Sequence, residues 1–443
     1  MRYQWQAASA PASSPNPLLA LRRGLFSPPP SGGRGGRWAS EIFEELFLSR
    51  KHRPDTDVVH LGRRPADFHG AVNPPVYHLS TVLFPTLDAL EAAQRPSPDP
   101  RRMTYGRRGS PTSFTLSEAV AALEGADGCQ ITPSGLSAVA TTLLALLKAG
   151  DHLLMVDSCY APSRGLCEGV LKRLGIETTY YDPLIGAGIA ALIRPNTTVI
   201  FMESPGSLTF EVQDVPAIVA AAKAAGHPVT TVIDNTWASP FYFKPLTLGV
   251  DISLQAATKY IVGHSDALIG TICGNAETLP RIKQTAGDMG VWTGPDDMYL
   301  AQRGLRTIGV RLERHQETGL GLARYLQGRP EVKRVLHPAL PDDPGHALWK
   351  RDFIGASGLF GAVLHPVPRA ALAAFLDHLE LFGMGWSWGG YESLCVPQHP
   401  EKIRVVTPWT EPGPLLRFHA GLEDIDDLIA DLDAGFARMA AAT

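Results

Sequence analysis

Cysteine is scarce: there are five in 443 residues, at positions 129, 159, 167, 273 and 395, and none shares a C-x-x-C spacing. An odd, scattered set suggests neither a disulfide framework nor a zinc site and fits a reducing compartment. Long apolar runs are missing too. The longest, around Ala138 to Leu147, falls far short of the roughly 20 residues a bilayer span requires, so no membrane partner is expected. Charged residues make up only 19%, with a net charge of −4, which leaves no basic field to recruit nucleic acid. Neither a G-x-G-x-x-G fingerprint nor a Walker A sequence is present, so a dinucleotide or nucleoside triphosphate is not favoured. What remains is an ordinary globular balance, 44% hydrophobic, with room for about two or three domains. A cytoplasmic location is the expectation.

Acids are absent from residues 1–40, which hold scattered Arg and the run Ser27-Pro-Pro-Pro-Ser-Gly-Gly-Arg-Gly-Gly-Arg37. Such a start has the composition of a transit peptide or of an RGG-like tail. It cannot bury a core, and residues 1–50 are read as a disordered arm or as residues upstream of the real start.

From about Thr112 helix-like and strand-like segments alternate. Thr115 to Leu123 reads as a helix ending at Gly125, and Leu136 to Leu147 as an amphipathic helix opened by Ser134 or Gly135. Short buried strands are predicted at His152 to Val156, Thr198 to Met202, Val229 to Ile233 and Asp251 to Leu254, with a helix at Val215 to Ala225 between two of them. That order argues an α/β fold with a mostly parallel sheet covered on both faces. Beyond Leu305 to Leu326, a long helical period, and a Pro-rich break at Pro338 to Pro344, residues 306–443 read as a smaller α+β domain ending in a helix at Leu422 to Ala437.

Ligand sites on such sheets lie beyond the carboxyl ends of the strands, where Tyr160, Glu203, Asp234 and Lys259 all fall. An acid at one strand end and a lysine after the next suit pyridoxal 5′-phosphate (PLP). The lysine can bond the aldehyde, and the carboxylate can keep the pyridine nitrogen protonated. The pair alone is weak evidence, since a strand-end cap and a solvated amine look the same. Pro133-Ser134-Gly135-Leu136-Ser137 adds a glycine-bearing helix start of the kind that receives phosphate. Thr258 could add a hydroxyl, and Tyr105 with Arg107 a phenol and a guanidinium. Cys159 and Trp386 read as packing residues, and His264 and Asp266 as fixing the loop after Lys259.

Six ordered segments then carry a resemblance: Tyr105-Gly-Arg107-Arg-Gly, Glu203-Ser-Pro-Gly206-Ser207, Ile233-Asp234-Asn-Thr-Trp237, Gln255-Ala-Ala-Thr-Lys259 onward to Asp266, Ser387-Trp388-Gly-Gly-Tyr391-Glu392-Ser393, and Arg417 to Asp424. From near Thr56 to the C-terminus the chain resembles the Cys/Met-metabolism family of PLP-dependent enzymes. Gly206-Ser207 stands where the γ-acting members have Thr-Asn, and Gln255-Ala256 where they have His-Ser. Both departures look like the bacterial β-lyase branch.

The resemblance implies the aspartate aminotransferase-like fold (fold type I), with residues 51–109 reaching a neighbouring subunit, 110–305 forming the PLP-binding domain and 306–443 the small domain. It implies a catalytic Lys259, Asp234 on the pyridinium nitrogen, and Tyr160 over the ring, acting on cofactor and substrate alike. Gly135, Leu136 and Thr258 would hold the phosphate, and Tyr105 and Arg107 would reach the phosphate of the neighbour's cofactor. Arg417 would clamp the substrate carboxylate in a pocket lined by Ser387 and Trp388. No metal is implied. The implied activity is β-elimination on a sulfur amino acid, L-cystathionine, with a cysteine desulfhydrase side activity, in a homotetramer built from dimers that share active sites. Elimination or replacement at the γ-carbon, by a γ-lyase, γ-synthase or sulfhydrylase of the same family, is one alternative, and a PLP-fold protein acting mainly as a regulator that binds a partner is the other.

Overall fold

The computed structural model describes residues 52–443 apart from 96, 98 and 100. The reading of residues 1–50 as an arm lies outside the described residues. Seven strands build the larger sheet: β1 (Gly128–Thr132), β2 (His152–Val156), β3 (Glu177–Tyr181), β4 (Thr197–Glu203), β5 (Thr230–Asp234), β6 (Ile252–Gln255) and β7 (Gly270–Gly274). Their order is β1-β7-β6-β5-β4-β2-β3. β2, β3, β4, β5 and β6 pair in parallel, and β7 runs antiparallel to both β6 and β1. Every residue of β2, β6 and β7 is buried. Successive side chains of a strand point to opposite faces, so the sheet is covered on both.

The predicted helices form with clear stop and start signals. Pro111–Glu124 opens at Ser110, whose N–H donates to Ser113 Oγ at 2.9 Å, and is closed by Gly125 at φ 76°, a left-handed turn that glycine adopts without strain. Gly135–Leu146 starts where the Ser134 hydroxyl accepts the Ser137 N–H at 3.1 Å. The long period after Leu305 resolves into Ile308–Gln327, with a separate helix, Pro295–Leu305, before it. The closing helix is Ile425–Ala441, capped by Asp424.

A second, four-stranded antiparallel sheet is built from β8 (Val332–Leu336), β9 (Leu359–Leu364), β10 (Leu394–Gln398) and β11 (Leu415–His419), in the order β10-β11-β9-β8. It has its own core of Leu322, Leu326, Phe360, Phe375, Phe418 and Phe436. The Trp237 indole N–H donates to the Leu359 carbonyl at 2.9 Å, joining the turn after β5 to β9. Residues 54–443 make one compact unit.

Candidate active site

The carboxyl ends of the parallel strands converge. Asp234 ends β5 and lies in register with Glu203, the last residue of β4, and with Leu254 of β6. After β6 the chain turns tightly: the Lys259 N–H donates to the Ala256 carbonyl at 3.0 Å, and the Gly263 N–H to the Lys259 carbonyl at 2.7 Å. His264 Nδ1 lies 2.8 Å from the Val262 carbonyl oxygen, fixing the loop as its sequence position suggested.

Lys259 Nζ donates to Ser387 Oγ at 2.7 Å and sits 5.4 Å from the centre of the Trp388 ring. Burial first, and then the Arg417 guanidinium, bring its amine down to about 8, against the opposing pull of Asp234. The 387–390 turn lies directly on this lysine. Gly389 has φ 85°, and a Cβ there would come within 3.0 Å of the Lys259 backbone, so the approach depends on glycine. Arg417, on β11, donates through Nη2 to the carbonyl oxygens of Gly385 at 3.2 Å and Ser387 at 3.0 Å. It is buried, which lowers it to about 10 and leaves it charged at neutral pH.

The two strand-end acids act on each other. Asp234 is pushed up by burial, while the Thr236 N–H at 2.9 Å and hydroxyl at 2.5 Å hold its charged form at Oδ1. Glu203 is raised to about 8, by burial and then by Asp234 beside it, whose charge works against a second one at the strand ends. Glu203 Oε2 accepts the Tyr160 N–H at 2.7 Å, and Oε1 bonds the Ser207 hydroxyl. Tyr160 is 47% exposed. Burial, then Asp234 and Glu203, raise its phenol, so it stays protonated.

The phosphate elements fit PLP on a geometric test. A Cβ on Gly135 would lie 2.5 Å from the Ala256 Cβ. Glycine therefore lets this helix start press against the turn that carries Lys259. The first N–H groups of a helix have no partner inside it, and those of Gly135 and Leu136 present a dianion with donors and the positive end of the helix dipole. The Thr258 hydroxyl donates to the Ile269 carbonyl at 3.1 Å and accepts the Ile269 N–H at 2.9 Å, which closes the loop after Lys259.

Tyr105 and Arg107 are not brought to this cluster by any described contact. Tyr105 is exposed and bridges Thr81, and Arg107 donates to the Gly287 carbonyl at 2.5 Å. Cys159 is fully buried, and burial holds its thiol well above the usual range, so it is a packed residue. Trp386 is 81% exposed rather than packed within this chain. Glu203 had been placed at its strand end by the sequence, but without a task. Its partnership with Asp234 needs the β4–β5 register.

A lysine held against Ser387 with its amine lowered, a strand-end acid in register beside the second acid, and a glycine-bearing helix start suit a fold type I enzyme that works through PLP. The chain belongs to the Cys/Met metabolism PLP-dependent enzyme family, whose model matches residues 55–437. It is 48% identical over 389 residues to the cystathionine beta-lyase MetC of Escherichia coli (strain K12), covering 87% of this chain and 98% of the relative. It is 42% identical over 397 residues to an L-alanine/L-glutamate racemase of Wolbachia pipientis wMel, covering 87% and 98%. Among solved structures, cystathionine gamma synthase of Xanthomonas oryzae pv. oryzae in complex with cystathionine superposes with a TM-score of 0.80 at 32% identity, covering 89% of this chain and all of that one.

Proposed function

We propose that the chain is a carbon–sulfur lyase that cleaves L-cystathionine by β-elimination to homocysteine and 2-aminoacrylate, which one water then hydrolyses to pyruvate and ammonia. The observation that carries the reading is the 48% identity over 389 residues to the cystathionine beta-lyase of Escherichia coli, and the Lys259 amine held at 2.7 Å from Ser387 Oγ and lowered to about 8 supports it. Asp234 and Lys259 would hold the ring, and Gly135 and Leu136 the phosphate. When bound, PLP supplies an electron sink for the bonds at the substrate Cα.

The chain's own groups do the rest. Arg417 binds the α-carboxylate through its planar fork, exchanging two backbone carbonyl partners for a charged one. Lys259 Nζ, oriented by Ser387 Oγ, takes the proton from Cα. Tyr160 keeps its phenolic proton near neutral pH, which suits it to donate toward the departing sulfur rather than to act as a base. Cysteine desulfhydration follows as a side activity, because the same groups act on any β-thiol.

Incubation of the holoenzyme with L-cystathionine tests this directly. Pyruvate with homocysteine is the expected pair; 2-oxobutyrate with cysteine would place the cleavage at Cγ instead. The racemase relative favours a second, minor reading. Slow exchange of the alanine Cα proton would be its signature, since Lys259 and Tyr160 are both proton-bearing groups at the site.

The proposed assembly is a cytoplasmic homotetramer of dimers that share active sites. Support comes from the exposed Tyr105 and from Leu83, Leu87 and Leu90, which are exposed in the same N-terminal segment. The proposed division runs 51–109, 110–305 and 306–443, supported by the separate core of the four-stranded sheet.

A further inference from the structure

We propose that Asp157 and Arg404 latch the two sheets together and are positioning residues for substrate binding, holding Tyr160 and Arg417 at the spacing the substrate needs. This rests on the reading of Tyr160 and Arg417 as the substrate-facing pair. Asp157 directly follows β2, and its carboxylate is fully buried. It accepts from Arg164 Nη2 at 2.7 Å, from the backbone N–H groups of Val405 at 3.1 Å, Val406 at 2.9 Å and Thr407 at 3.2 Å, and from Arg404 Nε at 3.3 Å. Three consecutive N–H groups around one carboxylate form an anion nest filled from within the chain. Burial alone would raise this acid, yet the backbone donors and Arg164 outweigh it and the carboxyl lies below its usual range.

Arg404 completes the tie. Its side chain is 4% exposed, and Nη1 donates to Thr209 Oγ1 at 2.7 Å and to Glu211 Oε1 at 2.8 Å, while Nη2 bonds the Thr407 hydroxyl. One side chain of the β10–β11 connection thus grips the segments that follow β2 and β4. Those two segments carry Tyr160 and Ser207, and the second starts just after Glu203. The β10–β11 connection leads directly into β11, which carries Arg417. Arg164 belongs to the short helix that begins just after Tyr160 and stacks 3.7 Å over the Tyr180 ring. Tyr160 and Arg417 each alter the other's ionisation, so they lie within electrostatic reach across the latched seam. Removing Arg404 leaves Asp157 its Arg164 partner but frees the connection from Thr209 and Glu211, and removing the Asp157 charge leaves Arg404 its Glu211 partner but weakens the nest that holds the connection to the β2 end.

The test uses holoenzyme and glycine, an amino acid with carboxylate and amine but no leaving group, titrated by the change in cofactor absorbance. Cofactor stoichiometry and thermal midpoint are measured on the same samples. Arg404→Ala is expected to weaken glycine by about tenfold to a hundredfold, in line with a small misplacement of binding groups, with full cofactor content. Arg404→Lys should recover part of the loss, and Asp157→Asn should resemble Arg404→Ala. Unchanged glycine affinity in Arg404→Ala overturns the latch, whatever happens to the midpoint. So does a loss of affinity that merely follows loss of cofactor, which would mark a structural staple. If Arg404→Ala does not fold, Arg404→Lys carries the test, and wild-type affinity there is equally fatal. Arg417→Ala separates the two readings: glycine affinity unaffected by that change would overturn the carboxylate clamp itself.

Discussion

Lys259 can exchange a proton near neutrality because burial and the Arg417 guanidinium both disfavour its charged form, bringing it to about 8. For a base, a lowered pKa enlarges the neutral fraction at a given pH, and only the neutral amine attacks an aldehyde. Reloading of cofactor-free enzyme with PLP should therefore speed up as pH rises and level off just above 8. An exposed lysine would still be gaining near its usual value of about 10.4. Stopped-flow absorbance across that range decides, and a rate that keeps climbing to pH 10 contradicts the depressed amine. Arg417→Ala should move the rise to higher pH, because a positive neighbour is gone. Arg417→Lys makes a separate point. The charge stays but the planar fork is lost, so KM for L-cystathionine should rise by about tenfold to a hundredfold, as for a charge-assisted hydrogen bond worth about 1.5–3 kcal/mol, with kcat changed far less. An equal fall in kcat at constant KM would assign Arg417 to the transition state alone.

At the scale of elements, the site depends on a helix start placed against a turn. Gly135→Val would put a branched side chain where even a Cβ meets Ala256 at 2.5 Å. Either the Gly135–Leu146 helix or the turn before Lys259 must retreat. The expected result is a folded protein with a near-normal far-ultraviolet spectrum that loses PLP on dialysis, and retention of cofactor at the wild-type level would show that the contact is slack. The residues of this element were legible in the sequence: Ser134 caps and Gly135 permits close approach, and both readings use local chemistry only. So were the buried strands β2, β4, β5 and β6, whose short apolar runs sit between helices. β7 was not. Gly270-Thr-Ile-Cys-Gly274 is short, glycine-flanked and reversed in direction, and periodicity cannot reveal direction. The upward shift of Glu203 was hidden for a related reason, since it depends on register with Asp234. Thr258 shows the limit for single side chains: its hydroxyl is legible beside the lysine, but its tie to Ile269 across the loop is not.

The molecule as a whole raises the question of whether one chain holds a complete site. Lys259, Asp234, Tyr160, Ser387 and Arg417 converge within the chain, whereas Tyr105 and Arg107 stand apart on an exposed segment. If that segment completes the site of a second copy, a dimer has two composite sites, each drawing on both chains. Arg107→Ala and Lys259→Ala would then damage different halves of the same site. Each variant alone should be inactive or strongly impaired, because every site in its homodimer is flawed. Mixed, reversibly dissociated and reassociated, they should regain activity, since one of the two sites in each hybrid dimer receives Arg107 and Lys259 intact while the other collects both defects. Pyruvate release from L-cystathionine before and after mixing reads this out, with light scattering to follow the assembly. Hybrids that form but stay inactive would mean that Arg107 serves its own chain through Gly287, and the composite site would have to be abandoned. Recovery would assign the exposed face of the N-terminal segment to catalysis as well as to assembly, and would account for a phenol and a guanidinium left exposed beside an otherwise buried turn.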